Sequence, residues 1–378
     1  MIEQRSISLA ESDNFTGKKV LMASVLNPVL HPRIWYREAK HLAQIGFKVW
    51  VMGKNTEENI PQLKNIQGIG IKSEGRNILS RLKFQLHFIR QIKSIQPDIV
   101  HIHTPELGIL ALFTKFFMGH ILIYDRHENY PEQLKDRHAY TLAERIILPC
   151  VAKFIEGLLF RYSDLIIHAE PGYFQQYSKK AILIRNSFIP LEVDKPSVYP
   201  EKYFLICGTL AERNGIREAC HLWEQLYPLC TWPLVIAGYC TEPALEKFIS
   251  AFQLKHKEKV ILKGIHKPLP YSEIQELIRN TSCGLSLFRA SAFLRGKSPS
   301  RFYEFMGYQK PLLICGNPEW HTWCAHYTCA KYIETDFPVA EIIAWIHSRE
   351  SCTVSEKEYA WKYDAEVLRE AYASLMEL

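Results

Sequence analysis

The chain has 378 residues, 47% hydrophobic and 23% charged, with a formal net charge of +6. That length predicts two domains, because a single core rarely grows past about 250–300 residues. The composition excludes disorder beyond an N-terminal extension of residues 1–17, and basic residues scattered without a dense Lys/Arg block argue against nucleic acid as a partner.

Strand and helix patterns then alternate. Lys18–Leu26 is a short apolar run, followed by a helix over Ile34–Ile45 that stops at Gly46, and FKVWVMG is the next strand. Asn77–Ser94 places Ile78, Leu82, Leu86 and Ile89 at helical spacing. Strand Asp98–His103, helix Glu106–Met118, strand Ile121–Tyr124, helix Ala143–Tyr162, and strands Asp164–Ala169 and Ala181–Arg185 complete a first series. The apolar stretch Gly108–Tyr124 contains Lys115 and His120 and breaks at Gly119, so it reads as helix and strand; a membrane span needs about 20 apolar residues.

Residues 191–202 lie in a proline-rich segment without periodicity and read as a linker. The second series has strands at Tyr203–Gly208, Pro233–Gly238, Lys259–Gly264, Cys283–Phe288 and Pro311–Cys315. Its helices are Ile216–Leu226, Glu242–Phe252, Ser272–Arg279, a short one from Pro299, and one near Ala340–Arg349. The predicted class is α/β, with two doubly wound parallel-sheet domains at 18–190 and 203–355. A last helix, Glu356–Glu377, lies within residues 356–378 and is expected to pack back towards the first domain.

Ligands in such folds sit beyond the carboxyl ends of the strands, so the loops there are the candidates. At Ser298-Pro299-Ser300-Arg301, Ser298 suits an N-cap and Pro299 a first helical position. A helix start favours phosphate, Arg301 adds a cation, and Glu304 one turn on can accept both hydrogen bonds of a ribose diol. On the residues alone, a capped surface helix is an equal reading. Gly208-Thr209-Leu210-Ala211-Glu212-Arg213-Asn214-Gly215 is a glycine-bounded strand-to-helix loop whose backbone can approach a diphosphate that Arg213 neutralises. Asp125-Arg126-His127-Glu128 sets a histidine between carboxylates at a strand end, where it contacts a sugar or sits in a solvated charge cluster. His31-Pro32-Arg33 follows the first strand, with Arg33 either facing a cleft or lying on the surface.

The order of these pieces resembles family 4 of the GT-B glycosyltransferases. HPRIWYREAKHLAQIGFKVWVMG resembles that family's first loop, helix and second strand; DIVHIHTPELGILALFTKFFMGHILIYDRHENYPEQ resembles its central N-domain segment. ICGTLAERNGI is similar to its diphosphate loop, and SPSRFYEFMGYQKPLLI to its donor-binding helix and following strand. The resemblance runs from about Lys18 to about Gly316. It implies two Rossmann-like domains facing across a cleft, an acceptor domain first and a nucleotide-sugar domain second. It implies a retaining, metal-independent hexosyltransferase of polysaccharide biosynthesis that uses a nucleotide-diphosphate sugar, a glycan or lipid-linked acceptor, and no cofactor.

By position, Glu304 holds the donor ribose, Arg213 opposes the diphosphate, and His127 contacts the donor hexose. Gly208, Thr209, Ser298, Pro299, Ser300 and Arg301 line the donor; Ile265 and His266 line the base pocket; His31, Arg33, Asp125 and Glu128 face the acceptor or cleft. The chain departs from the pattern at Thr209, where arginine is usual, at Asn214, where lysine is usual, and at Gly296, where the first of two paired glutamates falls. Asn27-Pro28 replaces a glycine pair. The competing readings are a nucleotide-sugar epimerase or hydrolase on the same fold, and a degenerate, non-catalytic partner subunit.

His321, Cys324, His326 and Cys329 offer zinc-type ligands, at a spacing too tight for an ordinary structural site, so no metal is expected there. All ten cysteines lie at or after Cys150 without a C-x-x-C pair, which reads as buried apolar groups in a reducing, cytoplasmic setting. The N-terminus lacks the apolar core of a secretory signal. Helix Asn77–Ser94 carries Arg81, Lys83, His87, Arg90 and Lys93 beside Leu82, Phe84, Leu86 and Phe88. It reads as a helix with one core face, or as a basic amphipathic helix in peripheral contact with the inner face of an anionic membrane.

Overall fold

The structure, a computed structural model, describes residues 15–55, 60–72, 78–135, 141–174, 180–191, 200–291, 294–334, 339–348 and 354–377. The chain divides into two compact units, Asn186–Trp361 and a unit that joins the chain up to Arg185 with the segment from Lys362.

The first unit begins with β1 (Lys19–Pro28), buried from Val20 to Val25. The chain then winds as a π-helical turn over Pro32–Ala39 into α1 (Lys40–Gln44). There follow β2 (Lys48–Lys54), β3 (Ile66–Ile71), α2 (Ile78–Ile95), β4 (Ile99–Ile102), α3 (Gly108–Met118) and β5 (Ile121–Arg126). The series ends with α4 (Tyr130–Lys135), α5 (Leu142–Tyr162), β6 (Leu165–His168), α6 (Pro171–Phe174) and β7 (Ala181–Leu183). The sheet order is β3-β2-β1-β4-β5-β6-β7, and every pairing is parallel. The order reverses between β1 and β4, and in open parallel sheets the carboxyl ends of the strands at such a reversal are where ligands bind.

The second unit contains β8 (Phe204–Cys207), α7 (Ile216–Cys230), β9 (Leu234–Ala237), α8 (Pro243–His256), β10 (Val260–Lys263) and α9 (Tyr271–Asn280). It continues through β11 (Cys283–Leu287), α10 (Ser300–Gly307), β12 (Leu312–Cys315), α11 (Glu319–His326), β13 (Ala330–Tyr332), α12 (Val339–His347) and α13 (Glu356–Tyr359). Its parallel sheet runs β10-β9-β8-β11-β12-β13 and reverses between β8 and β11. The central strands are Val/Ile/Leu-rich because helices cover both faces of a parallel sheet.

Several elements differ from the sequence reading. β3 was not expected, because Gly68 and Gly70 interrupt its alternation; β13 is only three residues long, and α11 lies in an aromatic stretch without a clear apolar period. The final helix is not continuous. At Ala360 the backbone pairs with Phe188, whose N–H reaches the Tyr359 carbonyl and whose carbonyl takes the Trp361 N–H at 2.8 Å. That break separates α13 from α14 (Trp361–Met376). Residues 192–199 of the expected linker and 1–14 of the expected extension lie outside the described residues. Eight of the described cysteines are free, whereas Cys329 is disulfide-bonded, which the reading of the cysteines as buried apolar groups did not foresee.

The last helix belongs to the first unit through specific groups. Asp364 accepts from the Arg185 backbone N–H at 3.0 Å and from its guanidinium. Tyr372 is fully buried, meets Phe47 edge-on at 5.5 Å, and its hydroxyl lies 2.8 Å from His101 Nδ1. Tyr372→Ala should therefore cost about 3–5 kcal/mol, as aromatic truncations in a core do. Tyr372→Phe should cost about 1–3 kcal/mol, because it strips the partner from a buried imidazole. Denaturant unfolding of both variants measures the difference, and a Tyr372→Phe variant as stable as the wild type would assign the hydroxyl no role.

Candidate functional site

Polar side chains gather beyond β1, β4 and β5 in the first unit. Arg33, carried by the turn after β1, is buried and donates to both oxygens of Asp125, at 2.7 and 3.0 Å. It also donates to the Ile184 carbonyl at 2.7 Å, and its Nε lies 2.9 Å from Glu38 Oε1. Alternation along β4 and into the residue after it puts His101 and His103 on one face, with their rings stacked 4.3 Å apart. His103 Nδ1 is 3.2 Å from Asp125 Oδ2 and 3.0 Å from His127 Nε2, and His127 Nε2 is 2.9 Å from the same carboxylate oxygen. His31 stacks on His127 at 5.8 Å.

Burial opposes charge throughout this group, and proximity decides which groups keep it. The desolvation of Asp125 is outweighed by Arg33 and the two histidines, so its carboxyl lies well below the usual range. Arg33 is desolvated too, yet Asp125 and Glu38 hold its proton more firmly than usual. Burial pushes Glu38 well up and His103 down to about 4, each away from its charged form. Glu38, His101, His103 and Asp125 can bring ligand atoms within 4.8 Å of one another, an arrangement of metal-binding type. The cation that such carboxylates need is already supplied by Arg33.

Of the first-unit candidates, the structure thus brings Arg33, Asp125, His127 and His31 together. The surface reading of Arg33 is overturned: the guanidinium is the centre of the cluster because Asp125 and the Ile184 carbonyl compensate its desolvation. Glu128 is half-buried and lies close enough to Tyr130 and Tyr173 to help raise their phenols. Sequence reasoning did not single out Glu38, His101, His103 and Tyr372. The His-Ile-His alternation in β4 was a usable signal for two of them; Tyr372, 271 residues from His101, had none.

The second unit gathers another group beyond β8 and β11. Gly208 has φ +107, and a Cβ there would collide with the Arg301 guanidinium. Gly215 has φ +70, and a Cβ would overlap the Leu287 carbonyl. Asn214 Nδ2 closes the loop by donating to the Thr209 carbonyl at 2.6 Å, and the Arg213 carbonyl accepts from the Arg289 N–H at 3.0 Å. Arg301 lies over the Phe288 ring at 5.4 Å. Glu304 is buried and accepts from the Tyr271 hydroxyl at 2.7 Å. Burial pushes the Cys207 thiol at the end of β8 up to about 12, with Arg301 opposing the shift and Glu304 adding to it. An open helix start, a cation and a carboxylate therefore meet one glycine loop.

The start of α10 corrects the sequence reading here. The helix begins at Ser300, with Pro299 rather than Ser298 as the residue before it and no side-chain cap. At Gly296, where the sequence departs from the family pattern, the backbone N–H donates to Glu319 of α11 at 2.8 Å, and Glu319 also accepts from Asn317 at 3.2 Å. Ile265 is buried after β10, whereas the exposed His266 pairs with Glu246 at 3.2 Å. His321 and His326 are exposed while Cys329 is buried.

Residues 20–120 match the family model described as glycosyl transferase 4-like. Sucrose-phosphate synthase from Thermosynechococcus elongatus aligns over 95% of this chain and 97% of its own, with a TM-score of 0.62 and 14% identity. The chain has the GT-B fold. WaaG, a glycosyltransferase involved in lipopolysaccharide biosynthesis, aligns over 94% of this GT-B chain and 99% of its own (TM-score 0.60, 13% identity). UDP-GlcNAc 2-epimerase from Methanocaldococcus jannaschii does so over 94% and 99% (TM-score 0.57, 11% identity). No curated protein sequence matches the chain significantly.

The buried groups of the GT-B first unit predict its pH response. Burial holds His31, His41, His101, His103, His120 and His168 below their ordinary range, His103 and His168 at about 4, while Glu38 and Glu156 are held above theirs. Between about pH 4.5 and 6.5 the unfolded chain binds more protons at the histidines and fewer at the two carboxyls. The histidines outnumber the carboxyls, so stability should fall as pH drops through that window. Calorimetric unfolding should show a lower Tm at about pH 5 than at about pH 7, with net proton uptake. A Tm that is flat or higher at the acid end would contradict this accounting.

Proposed function

We propose that the chain is a retaining, metal-independent glycosyltransferase. It moves a hexose from a nucleotide-diphosphate sugar to a glycan or lipid-linked acceptor in polysaccharide biosynthesis. The observation that carries this reading is the meeting of Gly208, Arg301, the Ser300 helix start and Glu304 at the β8–β11 reversal. A glycine loop admits a diphosphate, and a helix start with a fixed arginine stabilises the negative charge that grows as the sugar–phosphate bond breaks. The electron pair of that bond leaves with the diphosphate, where Arg213 is the further cation. Glu304, oriented by Tyr271, takes the ribose hydroxyls. By the family resemblance His127 contacts the hexose, and its ring is oriented by Asp125. The proposed partners include an anionic membrane surface, met peripherally through the basic helix α2.

A nucleotide-sugar epimerase is the second reading, favoured by the presence of epimerases among the structural neighbours. Product analysis without acceptor separates the two: an epimer or free sugar would point away from transfer.

Titration with UDP-, GDP- and ADP-sugars in the absence of metal should show binding of one donor. Glu304→Ala should weaken that binding about a hundredfold, the worth of two hydrogen bonds to a charged acceptor. Unchanged affinity in the variant would remove Glu304 from the donor site, and no binding of any donor would favour a non-catalytic partner subunit. His127→Ala should lower kcat by about tenfold or more while donor affinity stays near wild type. An unchanged kcat would take His127 out of the reaction.

A further inference from the structure

Helices α2, α3 and α5 cover one side of the first unit's sheet, and each packs an apolar face inward. The inner side of α5 is anchored: Glu156 accepts from Tyr124 at 2.8 Å and from Arg126 at 3.0 Å. Its outer side is apolar as well. Leu142, Ile146, Ile147, Val151 and Phe154 recur at helical spacing and are exposed, Leu142 by 74% and Phe154 by 66%. On α3, Gly108, Ala111 and Thr114 face inward while Phe113, Phe116 and Phe117 are exposed, Phe116 by 84%. A surface helix with one core face ordinarily turns a polar face to water. Here adjoining helices turn a second apolar face outward, and such patches mark an interaction surface.

Charge decides what covers it. The three helices carry eight Lys and Arg against two Glu, one of which, Glu156, is buried and paired. Their balance of +6 equals the formal net charge of the whole chain. Two copies meeting through this face would oppose like charges, whereas an anionic bilayer complements it. Aromatic and branched side chains beside Lys83, Lys153 and Arg161 also suit the boundary between headgroups and acyl chains. No helix of the described residues is long and apolar enough to cross a membrane, so this face lies on the surface.

We infer that α3 and α5, flanked by the cations of α2, dock the protein onto an anionic phospholipid surface. This builds on the proposed membrane partner and moves its centre from α2 to α3 and α5; it does not depend on sugar transfer.

The test is cosedimentation of the full chain at low salt with vesicles of equimolar phosphatidylcholine and phosphatidylglycerol, and with phosphatidylcholine alone. The wild type should sediment with the anionic vesicles only. Phe116→Glu combined with Phe154→Glu should cut the bound fraction about tenfold, and so should Lys83→Glu combined with Lys153→Glu. Both pairs are exposed, and the donor titration reports whether the second unit is unaffected. Wild-type protein that stays in solution, or an aromatic variant that sediments as wild type does, would overturn the inference. So would a wild-type dimer, seen by light scattering, that the aromatic variant dissolves. Vesicle binding without donor binding would leave this surface standing and sink the transferase reading, and the reverse result would do the opposite.

Discussion

The first unit is organised round a buried ion pair. Arg33 and Asp125 are both almost wholly removed from water, 92 positions apart in sequence, and joined by two hydrogen bonds in a fork. Removing either partner from such a pair leaves a buried charge that costs about 3–5 kcal/mol, so the pair acts as a constraint that neighbouring parts must respect. The third Arg33 donor reaches the Ile184 carbonyl just beyond β7, and its Nε faces Glu38. The turn after β1 and the ends of β5 and β7 are thereby held to one point. His103 and His127 both approach Asp125 Oδ2, which brings their rings edge-on with centroids 5.0 Å apart.

The second unit solves a different problem. Its candidate site is organised by the space that missing side chains leave. Gly208 makes room for the Arg301 guanidinium, and Gly215 lets the loop turn against the Leu287 carbonyl. The cation is then available beside a helix start, and the buried carboxylate of Glu304 is held by a tyrosine from α9. A group that must meet a charged ligand stays partly open, whereas the network of the first unit is nearly closed to solvent. That difference supports a ligand-binding role for the second unit and an orienting role for most of the first-unit cluster.

The likeness to solved GT-B structures establishes architecture, at identities of 11–14%. A synthase, a glycosyltransferase and an epimerase share it, so function has to be argued from the groups at the strand ends and on the outer helices. The sheet's two sides are treated differently by the chain: helices α2, α3 and α5 carry apolar residues outward as well as inward, a pattern with a cost in water that the core does not require.

Much of this was legible in the sequence. Short Val/Ile/Leu runs alternating with amphipathic segments specify two parallel sheets, because only helical crossovers can connect such strands. The glycine loop at 208–215 and the start of α10 were visible because backbone geometry limits which residues serve there. Tertiary structure alone decided the rest. Nothing local predicts that Arg33 turns inward, that Tyr372 meets His101, or that Glu319 reaches Gly296. Each depends on groups far apart in the chain whose desolvation is compensated only once the fold brings them together. The same holds for the outer faces of α3 and α5: periodicity marks a residue as apolar, but only packing determines whether that face is covered.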